Sequence, residues 1–89
     1  MRHARSNLAT VLAKSGRIDE AVDYLRQILA TSPQDPAAKL RLAAVLTLRG
    51  SLLLRDGQNA QAVAQFDEAL QLDPSNEDAR RFRAQALDH

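Results

Sequence analysis

Apolar residues recur every three or four positions along most of the chain, and this is the period of an amphipathic α-helix. The clearest case is residues 18–31. The same period is found in residues 3–15 and 59–72, while residues 77–89 are more highly charged. In residues 18–31 the apolar positions define one face, formed by Ile18, Ala21, Val22, Leu25, Ile28 and Leu29.

Glycine, proline and helix-capping residues lie between the segments that show this pattern. Gly16 is expected to end the first helix, and Pro33 and Pro74 each follow a helix that they cannot continue. Asp35 and Asn76 are typical N-cap residues, because their side chains can accept backbone N–H groups at a helix start. Asp35 is followed by a proline, which is favoured at the first helical position. Asn59 is expected to cap the helix over 59–72.

A long central helix is predicted from residue 36 to about residue 56. It contains Gly50, where glycine costs roughly 1 kcal/mol relative to alanine, so we expect a neighbouring helix to approach too closely for a Cβ. The alternative is that Gly50 itself forms the turn. That reading would make residues 51–55 an apolar loop, whereas three consecutive leucines favour helix. Gly57 is therefore the better candidate for the turn.

The segments on the two sides of the central helix are related by repetition. The pattern Leu8-Ala9-x-Val11-Leu12-x-x-x-Gly16 recurs 34 residues later, ending at Gly50. The pattern from Gly16 to Asp35 recurs 41 residues later, from Gly57 to Asn76. The offsets differ by seven residues, which is close to two helical turns, so the insertion lengthens a helix and keeps its faces nearly in phase.

Two helices per unit, a 34-residue unit and small residues at fixed points resemble the tetratricopeptide repeat (TPR) family. The family pattern falls on Leu8, Ala9, Leu12, Gly16, Ala21, Leu25, Ile28 and Pro33, and then on Gly50, Leu53, Gly57, Ala62, Phe66, Ala69 and Pro74. The resemblance implies an all-α helical-hairpin repeat solenoid of about five antiparallel helices, the third unusually long. We expect one domain over 1–89, with repeat 1 at about 2–35, repeat 2 at about 36–76 and a capping helix at about 77–89.

Composition narrows the possible functions. The chain has 89 residues, no cysteine and a formal net charge of +1, with basic and acidic residues interspersed. Near-neutrality argues against nucleic-acid binding through phosphate neutralisation. No apolar run reaches the ~20 residues of a membrane span, and no signal sequence is recognised, so a cytoplasmic location is expected.

Residues with the potential for catalysis are sparse. His3 and His89 lie at opposite ends of the chain, and there is no glycine-rich phosphate loop. The acid pairs Asp19-Glu20 and Glu77-Asp78 fall in first helical turns, where the helix dipole accounts for them. We therefore expect no enzyme activity, no cofactor and no metal site.

The resemblance implies a concave groove that binds a peptide of a partner protein. Helical periodicity together with the resemblance assigns these residues to its walls: His3, Asn7, Thr10, Lys14, Leu40, Arg41, Ala44, Thr47, Leu48, Ser51, Arg55, Arg81, Phe82 and Gln85. The charges in this set are all basic. The predicted partner is a segment with an acidic side chain or a terminal carboxylate beside an apolar anchor.

A second interpretation is structural self-assembly through the long helix. A helix two turns longer than its neighbours would leave Leu40, Leu48 or Leu54 uncovered, and these residues could join a twin chain. Exchange of the terminal halves between chains is one route to such a homodimer.

Overall fold

The computed structural model describes residues 17–88, which form helices and contain no strand. The predicted all-α fold is confirmed in this part of the chain. The predicted first helix over 3–15 and its turn at Gly16 lie outside the described residues. The four helices are α1 (Ile18–Thr31), α2 (Pro36–Arg55), α3 (Asn59–Leu72) and α4 (Glu77–Leu87).

Two of the three predicted N-caps are confirmed. One carboxylate oxygen of Asp35 accepts the backbone N–H groups of Ala37 and Ala38 at 3.1 and 3.2 Å. The side-chain oxygen of Asn76 accepts the N–H of Ala79 at 3.0 Å. The third prediction was wrong, because α3 begins at Asn59 itself. Gln58 precedes it and makes no side-chain capping bond.

The turn after the long helix is at Gly57, as predicted. Its φ of +83° lies in the left-handed region that favours glycine. The N–H of Gly57 donates to the carbonyl of Leu54, and the N–H of Gln58 donates to that of Leu53. These bonds satisfy carbonyl groups at the end of α2. The helix therefore runs through Gly50 without interruption, for 20 residues.

The core is mainly aliphatic, with Phe66 as its buried aromatic side chain, and lies along α2, which packs against both α1 and α3. α4 packs mainly against α3 and also touches α2. The Phe66 side chain of α3 lies against Gly50, so the expected close approach of a neighbouring helix is confirmed. The largest fully buried side chains are Phe66, Leu25, Ile28, Leu42 and Leu46.

Ion pairs join neighbouring helices at the surface of this core. Arg26 of α1 donates two hydrogen bonds to the carboxylate of Glu68 in α3, at 2.7 and 3.0 Å. These bonds raise the pKa of Arg26 above its ordinary value, with a further contribution from the negative charge of Glu68. Arg49 of α2 pairs with Asp19 of α1, and Arg83 of α4 pairs with Asp67 of α3.

Candidate functional site

One side of α2 carries exposed residues from its first turns to its end. Leu40 is 54% exposed and Leu48 is 39% exposed, and Ala44 between them is also exposed. Arg55 is exposed near the helix end. Arg41 and Ser51 are half-buried and lie at helical spacing from these residues. We call this set the α2 strip: Leu40, Arg41, Ala44, Leu48, Ser51 and Arg55.

The α2 strip is open because the packing of α2 uses the other side of the helix. The buried positions of α2 include Leu42, Val45, Leu46 and Gly50, which face α1 and α3. Leu54 was expected on the open side, but it is half-buried and packs against the core.

Unlike the other predicted site residues of α2, Thr47 is buried. Its exposure is 6%, and its hydroxyl donates to the carbonyl of Ala43 at 2.8 Å. The same hydroxyl oxygen accepts from the side-chain amide of Asn76 at 3.2 Å. Asn76 is also the N-cap of α4, so this bond fixes the start of α4 beside α2. Thr47 thus joins two helices under the surface.

The three predicted site residues of α4 differ in their exposure to solvent. Arg81 and Gln85 are exposed, whereas Phe82 is half-buried and packs against the core. The ring of Phe82 stacks on that of Phe66, with centroids 5.9 Å apart and planes inclined by 26°. The guanidinium of Arg81 lies 5.7 Å from the Phe82 ring centroid, a favourable cation–π geometry. Phe82 therefore presents only part of its surface to solvent.

The charges around these residues are mainly basic. The sequence of α2 contains Lys39, Arg41, Arg49 and Arg55 and no acidic residue. On α4, however, Arg81 donates to the carboxylate of Asp78 at 2.6 Å, and both side chains are exposed. This pairing of Asp78 was not predicted from the sequence, although the spacing of three residues on a helix is one at which side chains interact. The basic character is strongest on α2.

The remaining predicted site residues are His3, Asn7, Thr10 and Lys14, and they lie outside the described residues. Within residues 17–88, no group of three or more metal-ligating side chains is found, and no helix is long and apolar enough to cross a membrane. Among the acids of the two pairs, Asp19 pairs with Arg49, Glu20 with Arg17 and Asp78 with Arg81.

Comparison with known families gives a match over most of the chain. The family model described as tetratricopeptide repeat matches residues 1–75. The chain belongs to the TPR family. The helical hairpin formed by α2 and α3 and the close approach of Phe66 to Gly50 agree with this assignment. TPR repeats generally mediate protein–protein interaction, and the family is typically a scaffold or interaction module rather than a catalyst.

A curated relative extends the comparison. The chain is 38% identical over 58 residues to "Surface lipoprotein assembly modifier 1" of Neisseria meningitidis serogroup B (strain ATCC BAA-335 / MC58). The match covers 64% of this chain and 10% of the relative. The chain therefore spans about a tenth of that protein's length.

Proposed function

We propose that this TPR chain binds a peptide segment of a partner protein along the α2 strip. The observation that supports the proposal is the exposure of Leu40 and Leu48 on one side of a helix that carries basic residues and no acid. Apolar side chains provide a driving force for association, and guanidinium groups beside them pair well with carboxylates.

The dimensions of the α2 strip suit a short segment. Leu40 and Leu48 are eight residues apart, so their Cα atoms are separated by ~12 Å along the helix. An extended peptide covers this distance with about four residues. We therefore propose a partner segment with one or two apolar anchors and a carboxylate at one end. That carboxylate is either an acidic side chain or the chain terminus, and it lies near Arg41 or Arg55.

The basic residues of the α2 strip can be tested by charge reversal. The probe is a fluorescein-labelled octapeptide that has two leucines and two glutamates, and its binding to the 89-residue chain is followed by fluorescence anisotropy. Reversal in Arg41→Glu or Arg55→Glu should weaken binding by about fivefold or more at low salt, because an attraction is replaced by a repulsion.

Lys39→Glu is the matched control, because Lys39 lies on the same helix outside the α2 strip and pairs with the side chain of Gln34 at 2.8 Å. This variant makes the same change in net charge and should bind nearly as tightly as the unmodified chain. Equal loss in all three folded variants would mean that only net charge matters, and unchanged affinity in Arg41→Glu and Arg55→Glu would refute the proposal.

A second copy of the chain is the alternative occupant of the same surface. The exposed leucines that support peptide binding would also support contact between two α2 helices. Sedimentation of the isolated chain from micromolar to near-millimolar concentration separates the two proposals. A mass that rises to twice the monomer mass, and falls again in Leu48→Ser, would favour self-assembly.

A further inference from the structure

The last turns of α2 continue beyond its ion pair with the start of α1. Asp19, the second residue of α1, pairs with Arg49 of α2 at 3.3 Å. α2 continues to Arg55, a further six residues that rise ~9 Å. Sequence comparison of the two predicted repeats places this extension in residues 51–57, the insertion that has no counterpart in the first repeat. The extension is therefore a feature of this chain beyond the shared repeat pattern.

A cleft of about 360 Å³ lies in the corner between the extension and the start of α1. Its apolar wall is formed by Ile18, Leu52 and Leu53, all of them half-buried. The volume is at the lower end of the ~300–1,000 Å³ found for ligand clefts. A cleft of this volume suits one long side chain rather than a whole peptide segment.

The charged groups around the cleft differ in whether they form ion pairs. Arg17 pairs with Glu20 at 2.9 Å, and Arg49 pairs with Asp19. Asp56 also lines the cleft, is exposed, and makes no ion pair within residues 17–88. It is the C-cap of α2, where the negative end of the helix dipole is unfavourable for an acid. The end of α2 at Asp56 therefore favours a bound cation.

We propose that the cleft binds a basic side chain, arginine or lysine, of a protein partner. The aliphatic stem of that side chain packs on Ile18, Leu52 and Leu53, and its charged head pairs with the Asp56 carboxylate at the end of α2. This contact is separate from the α2 strip and opposite to it in charge preference. Whether the cleft binds a basic side chain does not depend on whether the α2 strip binds a peptide.

The test is a titration of the full 89-residue chain with N-acetylarginine amide, followed by the backbone amide signals in NMR spectra. The citrulline analogue has nearly the same shape and no charge, so it measures the contribution of the cation. We expect saturable shifts at Leu53, Asp56 and Gly57. Binding of the citrulline analogue should be about two- to fivefold weaker, as for an exposed ion pair.

Two variants complete the experiment. Asp56→Asn removes an unfavourable charge from a helix end, so it should fold, and it should bind arginine no better than citrulline. Asp88→Asn is the matched control, because Asp88 is the exposed C-cap of α4 with nearly the same backbone conformation as Asp56. Its binding should be unchanged.

Three kinds of result would overturn the proposal. One is the absence of a charge effect, seen either as equal binding of the arginine and citrulline compounds or as full arginine binding by Asp56→Asn. Another is a concentration-dependent shift of the same amides without ligand, which would assign the cleft to a second copy. The third is a set of nuclear Overhauser contacts from residues 1–16 to the Leu53 methyl groups, which would assign the cleft to the chain's own N-terminal segment.

Discussion

A Cβ atom built on Gly50 would lie 2.5 Å from Cε1 and 2.9 Å from Cζ of Phe66. These distances are far below van der Waals contact, so α2 and α3 meet at a point where only a hydrogen atom fits. Glycine inside a helix is unfavourable by roughly 1 kcal/mol relative to alanine, and its presence here is explained by this contact.

Gly50→Ala should lower the free energy of unfolding despite the better helix propensity of alanine. Overpacking of a filled core costs about 1–3 kcal/mol, and the gain in propensity is only about 1 kcal/mol, so a net loss on the order of 1 kcal/mol is expected. Urea unfolding followed by circular dichroism measures it. In a Phe66→Leu background the same substitution should cost less, and strictly additive effects would contradict the contact as described.

The Asn76 side chain has two functions that substitutions can separate. It caps α4 by accepting from Ala79 and donates to the hydroxyl of Thr47. Asn76→Asp keeps the cap and loses the donated bond, whereas Asn76→Ala loses both. We expect Asn76→Ala to cost about 1–2 kcal/mol and Asn76→Asp less, measured by thermal unfolding.

Thr47→Val is the control for the second bond, since it removes the acceptor and retains the shape of the side chain. Its cost should approach that of Asn76→Asp. If Asn76→Ala and Asn76→Asp were equally destabilising, the capping role would be refuted.

The Arg26–Glu68 pair should contribute modestly to stability. Both side chains are partly exposed, at 48% and 35%, so a double-mutant cycle with alanine should give a coupling of about 0.5 kcal/mol that decreases in 1 M salt. Because the pKa of Arg26 is raised, its contribution is fully present below its ordinary pKa and is lost only in strongly alkaline solution. The charge of Arg26 should therefore cause no pH dependence of the free energy of unfolding near neutral pH. A large, salt-independent coupling would contradict this account.

Local patterns in the sequence predicted the helices well because helix ends depend on nearby residues. α1 and α3 begin and end where the apolar period and the prolines placed them, and Gly57 forms the turn with a positive φ. The predicted cap at Asn59 was wrong by one position, because helix starts without a side-chain cap leave no clear local signal.

The exposure of the candidate-site residues was harder to predict from the sequence, because it depends on which distant helix covers each position. Thr47 lies near Ala44 and Ser51 on a helical wheel, yet the start of α4 buries it. Phe82 looks exposed on a charged helix but stacks on Phe66, 16 residues earlier in the chain. Periodicity identifies a face, and only the packing of the helices shows which part of that face is covered.

Binding along the α2 strip is tested most directly by mapping where the leucine- and glutamate-containing octapeptide perturbs the amide signals of the isotopically labelled chain. The account predicts that the largest shifts at saturation occur at Leu40, Ala44, Leu48 and Ser51, and that Leu48→Ser reduces affinity by several-fold while the helix content is unchanged. Shifts concentrated on the outer faces of α1 and α3, with unchanged affinity in Leu48→Ser, would contradict it.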